Sequence, residues 1–155
     1  TIEREEIFEI EIAGAERQAL EILLHRREEI VDYLMPALFL TGVAREAYEA
    51  VEEAEGDFHA AREASEESVS SVLVEIVASE SPEEDSLGVI SRLLALAAER
   101  KAAELSAVAR SEDNFDSDLV NDIQYLRGQA AGLREVPEDI EALKPLFEWF
   151  RSATT

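Results

Sequence analysis

The sequence predicts an all-α protein: a multi-helix bundle followed by a C-terminal antiparallel helical hairpin, the two joined through a long helix. Three observations predict it. Apolar residues recur at three- and four-residue spacing from Ala15 onward, the period of a helix with one buried face. Cap and turn residues cut that pattern into segments of helix length. One stripe then continues unbroken for about 28 residues, or ~42 Å at 1.5 Å per residue.

The elements follow in order. Residues 1–14, "TIEREEIFEIEIAG", alternate only loosely and read as a lead-in segment, a short helix or an extended arm, closed at Gly14. Leu20, Leu23 and Leu24, then Ile30, Val31 and Leu34, form two apolar stripes broken near His25-Arg26-Arg27. Met35-Pro36 ends this pair, because proline disfavours helix before it and lacks a donor. "LFLTGVAREAYEAVEEAEGD", residues 38 to 57, enters through a Thr-Gly turn and predicts a helix over about 43 to 55. Its apolar face carries Ala44, Ala47, Tyr48, Val51 and Ala54; glutamates take most of the rest, and Gly56 ends it. Asp57 is placed to cap a short helix through Ala64.

Ser65 opens "SEESVSSVLVEIVAS", with Val69, Val72, Leu73 and Ile76 at helical spacing, although β-branched content weakens the helix preference slightly. Ser81-Pro82-Glu83-Glu84 is a start signal: serine caps, proline sits at the first helical position, and Glu84 can reach back to the cap amide. The long helix it opens carries Leu87, Ile90, Leu94, Ala97, Leu105 and Val108 to about Arg110. Residues 15–110 are thus one bundle subdomain. "SEDNFDSD", residues 111 to 118, is a polar break, and residues 111–155 form the hairpin subdomain. One of its helices uses Leu119, Ile123, Leu126 and Leu133, the other Ile140, Leu143, Phe147 and Phe150. The short join "REVPED" makes them antiparallel. Gly128 and Gly132 share a face, which invites close approach by the partner helix or, alternatively, a hinge.

Charge separates the function classes. Thirty-six Asp and Glu face 14 Lys and Arg, a net of −22. Phosphate backbones are held by clustered cations, so neither nucleic acid nor an anionic membrane is an expected partner. A basic protein surface is favoured, and its encounter is accelerated; solubility alone is the bland reading. Apolar residues at 46% exclude a disordered composition despite the charge. There are no cysteines, which removes disulfides, thiolate zinc sites and cysteine nucleophiles. No apolar run approaches ~18 residues. The chain opens at Thr1 with no signal peptide, which reads as a fragment of a longer protein.

Chemistry-bearing motifs are missing. A di-iron bundle needs Glu-x-x-His twice, but Ile22 and Gly56 stand three residues before His25 and His59. H-E-x-x-H, the phosphate loop, G-x-G-x-x-G and G-x-S-x-G are all absent. His25 suits a helix C-terminus, and His59 a surface. No catalytic residue, metal or cofactor is expected.

In segment order, "AERQALEILLHRREEIVDYL" looks like a paired opening helix and "LFLTGVAREAYEAVEEAEGD" like a loop and a helix with a buried tyrosine. "EESVSSVLVEIVAS", "ISRLLALAAERKAAELSAVAR", "LVNDIQYLRGQAAGLRE" and "LKPLFEWFRS" follow. This order, over about residues 14 to 151, resembles the C-terminal helicase-binding domain of bacterial replicative primase (DnaG-type), most like its high-GC Gram-positive versions. The N-terminal domain of the replicative helicase has a similar fold and is the alternative. The resemblance implies a cytoplasmic, non-catalytic module that tethers primase to the hexameric helicase at the replication fork, with much of the grip in the terminal hairpin. Some such domains also hold the acidic tail of single-stranded-DNA-binding protein in a basic pocket by the first helix. Here only Arg17, Arg26 and Arg27 offer a basic spot in that region, so tail binding is not favoured.

The candidate helicase contacts lie in the hairpin. Phe147, Trp149 and Phe150 fall within four residues. Phe147 and Phe150 share a stripe with Leu143, whereas Trp149 falls off it, a favoured setting for an interface anchor or for a side chain that merely covers the hairpin. Arg151 adjoins them, and Tyr125 and Arg127 are the alternative docking surface.

Overall fold

The computed structural model describes residues 14–40, 42–79, 85–111, 117–133 and 140–153. The architecture is all-α. Among the described residues there are eight α-helices, three short 3-10 segments and no strand. The helices are α1 (Ala15–His25), α2 (Arg27–Ile30), α3 (Gly42–Glu53), α4 (Phe58–Ala64), α5 (Glu67–Ala78), α6 (Ser86–Ser111), α7 (Ser117–Gly132) and α8 (Lys144–Ala153). The chain divides into two compact units between Ile90 and Ser91. This division falls inside α6, earlier than the boundary at 110/111 that the polar break suggests.

In the first unit α1, α3 and α5 pack pairwise on one another, and α4 packs on α3 and α5. Ala19, Leu20 and Leu23 of α1, Ala47 and Val51 of α3, and Leu73 and Ile76 of α5 are almost wholly buried. Small alanines beside branched residues let three helices share one core at close-packed density. The expected break after His25 is present: Arg26 leaves helical geometry (φ −139°, ψ 54°) before the single turn of α2. Leu34 and Met35 are extended, and Pro36 starts a 3-10 turn, as proline's missing donor requires. That turn buries Leu38 and delivers Phe39, both fully inaccessible.

The end of α3 follows its sequence. Glu55 (φ 54°) and Gly56 (φ 86°) are left-handed, and the Gly56 N–H donates to Val51 O at 2.9 Å, a Schellman-type close. Asp57 caps α4, its Oδ1 accepting from the Ala60 N–H at 3.2 Å. Ser65 differs from expectation. Its hydroxyl donates to Ala61 O at 2.6 Å and so closes α4, while α5 begins at Glu67 without a side-chain cap. The hydroxyl reaches back to a free carbonyl because Ser65 is extended (φ −98°, ψ 155°).

The start signal at Ser81–Glu84 lies outside the described residues; α6 is a helix of 26 residues from Ser86. It does not bury one uniform stripe. Ile90, Leu93, Leu94, Ala97 and Ala98 are buried, and Val89, Ser91 and Ala95 widen the buried arc at this end to about 240°, but Val108 is exposed. In the second unit α7 buries Ile123, Leu126 and Ala130, and α8 buries Leu146, Phe147 and Phe150. The α-helical part of the last segment starts later than its stripe suggests, after a 3-10 turn over Ile140–Leu143. Pro145 accounts for this, because proline fits the first helical turn, where its amide would be unbonded anyway. The join "REVPED" and the polar break at 112–116 lie outside the described residues, as does the lead-in at 1–13. The close-approach reading of Gly128 and Gly132 does not hold. Both are exposed, and a Cβ at either would meet nothing within 4 Å, so among the described residues no backbone presses on that face.

Candidate functional site

The aromatic end of the second unit is built by α8. Leu146, Phe147 and Phe150 lie at i, i+1 and i+4, so one face of the helix is buried. Trp149 is off that face and half-buried. Its ring meets the Phe150 ring edge-on, with centroids 5.3 Å apart at 84°, a favoured aromatic geometry. Arg151 lies four residues after Phe147 and sets its guanidinium 5.5 Å from that ring, within cation–π range. Glu148 is 3.5 Å from the same guanidinium. The two phenylalanines are therefore core, Trp149 is the one aromatic of α8 left partly exposed, and Arg151 lies among its exposed residues with Lys144, Glu148 and Ser152.

Tyr125 and Arg127 do not form one patch. Two positions on a helix differ by about 200°, so their side chains diverge. Tyr125 is 38% exposed. Arg127 donates to the Ser106 hydroxyl of α6 at 3.2 Å, which ties α7 to the later part of α6.

The three arginines of the expected basic spot, Arg17, Arg26 and Arg27, all face carboxylates. Arg17 contacts Glu21 at 3.1 Å and Glu75 at 3.0 Å. Burial works against the Arg17 charge, but hydrogen bonding and attraction from Glu75, then Glu21, outweigh it and hold the guanidinium above its ordinary range. Arg26 lies 3.6 Å from Glu29. Arg27 grips both oxygens of Glu52, at 2.9 and 3.3 Å, the bidentate geometry for which guanidinium is suited. Glu75 and Glu52 are distant in sequence from the arginines they meet, so the pairing had no local signal.

A set of polar ties holds the 34–40 segment. Glu16, buried in the first turn of α1, accepts from the Leu40 N–H. Arg45 Nε and Nη2 donate to Phe39 O at 3.2 and 2.9 Å. The Tyr48 hydroxyl donates to Leu34 O at 3.1 Å, and its ring stacks on Phe39 at 4.9 Å. Burial, and secondarily the negative charge of Glu52, pushes the Tyr48 phenol up to about 12. Each tie satisfies a backbone group of an irregular segment that would be costly to bury unpaired. Glu16 was not singled out by its sequence; an acid in a helix's first turn is ordinary, and only the fold brings Leu40 to it.

His25 is the last residue of α1, with Nε2 3.2 Å from Ile76 O. His59 is exposed beside Phe58. Among the described residues, no group of three or more His, Asp and Glu is gathered closely enough to hold a metal ion, and no helix is long and apolar enough to cross a membrane. Among protein families, curated proteins and solved structures, none matches this chain.

Proposed function

We propose that this chain is a non-catalytic protein-interaction domain of a bacterial primase. In this reading it docks on the N-terminal domains of the hexameric replicative helicase and couples primer synthesis to the fork in the cytoplasm. The α7 and α8 segments, read as an antiparallel hairpin, supply the grip. One observation carries the reading: Trp149 is left partly exposed on a helix whose other aromatics, Phe147 and Phe150, are core, and Arg151 is exposed on the same helix. Tryptophan and arginine are the side chains most enriched at energetic centres of interfaces. The net charge of −22 supports a protein partner with a basic surface over a nucleic acid. The carboxylates facing Arg17, Arg26 and Arg27 argue against an acidic tail docking by α1.

The test is a titration of the matched helicase N-terminal domains with the wild-type chain and with Trp149→Ala. The variant is expected to bind at least ~2 kcal/mol more weakly with little change in melting. A fall in melting with unchanged affinity per folded molecule makes Trp149 structural and moves the docking surface elsewhere, with Tyr125 and Arg127, on different sides of α7, each to be tested singly. No binding of the wild-type chain ends the primase reading in favour of another helical assembly domain, such as a helicase N-terminal domain.

A further inference from the structure

α6 reverses the sign of the molecule. It carries Arg92, Arg100, Lys101 and Arg110 against Glu99 and Glu104, a net of +2, which leaves −24 for the rest of a chain whose total is −22. Three of these cations fall on one line. Arg92, Leu96, Arg100, Ala103, Ala107 and Arg110 are spaced 4, 4, 3, 4 and 3 apart, and all six are exposed. At 100° per residue they lie within a sector about 80° wide and run for ~27 Å. Leu96, 48% accessible, is the most exposed large apolar side chain among the described residues.

We infer that this stripe is a docking face for an acidic amphipathic helix of another protein. A straight stripe of this length suits a helix better than a point ligand. Ala103 and Ala107 let a second helix axis come near the lower end of the usual 8–10 Å packing distance, with Leu96 as the knob between its side chains. The arginines recur at intervals of about two and three turns, where carboxylates flanking the partner's apolar seam would meet them. The contacts of Arg100 and Arg110 do not oppose this. Arg100 reaches Glu104 at 3.6 Å while 61% exposed, and Arg110 reaches Ser106 O at 3.4 Å on the surface. Solvated along-helix pairs of this kind are weak, so they exchange for a partner's carboxylates at little cost. A second copy of α6 does not fit, since it would oppose arginine to arginine.

The experiment uses the whole chain, isotope-labelled for amide NMR at low salt. Three synthetic helices share one Leu/Ala seam and differ in flanking residues: glutamate, glutamine or lysine. Glutamate-flanked helix is expected to shift the amides around Leu96, Ala103 and Ala107, and to bind at least about tenfold more tightly than the glutamine version. Arg100→Glu with Arg110→Glu is expected to abolish that preference without lowering the melting temperature, and to improve binding of the lysine-flanked helix. The inference is overturned if millimolar acidic helix moves no α6 amide, if the glutamine helix binds equally, or if the charge reversal changes nothing. Stronger shifts of the same amides by duplex DNA would overturn it in favour of a nucleic-acid contact. Self-association abolished by the charge reversal would do so in favour of a second copy.

Discussion

The two units use charge differently. In the first, charged and polar side chains join segments far apart in the chain: Arg17 to Glu75, Arg27 to Glu52, Glu16 to Leu40 and Ser86 to Glu29. In the second, Arg100–Glu104, Lys144–Glu141 and Arg151–Glu148 are local pairs three or four residues apart, and Arg127 to Ser106 is an exposed tie between helices. Long-range ties between partly buried groups specify one arrangement of short helices and irregular turns. Pairs along an exposed helix specify little, and they leave arginine and aromatic surface open to a partner. The contrast explains why the candidate docking residues belong to the later part of the chain.

The largest test of the contrast is in the first core. Phe39 is fully buried against Tyr48, so Phe39→Ala is expected to cost ~3–5 kcal/mol of stability in denaturant unfolding. Residue-resolved hydrogen exchange locates the loss: protection is expected to fall over 14–90 and to hold over 91–153. An equal fall in both would show that the division at Ile90 is not a folding boundary.

Alkaline pH probes the Tyr48 tie. The folded phenol titrates near 12, above the free value of about 10, so between these pH values the folded chain keeps a proton that the unfolded chain sheds. The contribution is complete below pH ~10 and lost as pH rises through about 12, ~2–3 kcal/mol in all. Tyr48→Phe is expected to flatten this slope. A slope that survives the substitution would assign the alkaline loss to other groups.

Double-mutant cycles compare the two kinds of ion pair directly. Arg27–Glu52 is bidentate and about 30% exposed at each side chain, and a coupling of ~1 kcal/mol is expected. Lys144–Glu141, more than 60% exposed, is expected to couple by ~0.3 kcal/mol or less and to vanish in high salt. Equal couplings would erase the distinction between the units. The smallest effect is a gain. Gly128→Ala, on a helix face with nothing near its Cβ, is expected to stabilise the second unit by roughly 0.5–1 kcal/mol. Destabilisation there would restore the close-approach reading of that glycine.

Sequence by itself determined the helical class, the break at Arg26, the stop at Met35-Pro36, the Gly56 close and the Asp57 cap. These are decided by φ preference, missing donors and side chains bonding within four residues, so the information is local. It also marked Trp149 as off the buried stripe, because helical angle is a property of spacing. Only the tertiary structure decided the rest. It assigned Ser65 to the end of one helix instead of the start of the next, since either carbonyl or amide partner was in reach. It left Gly128 and Gly132 without a neighbour, gave Arg17 and Arg27 their distant carboxylates, and set Glu16 against Leu40. It also exposed Leu96 and the arginines around it while the same helix buries its other sides nearby. Such outcomes depend on which surfaces meet across long loops, and the spacing of residues along one chain segment carries no record of that.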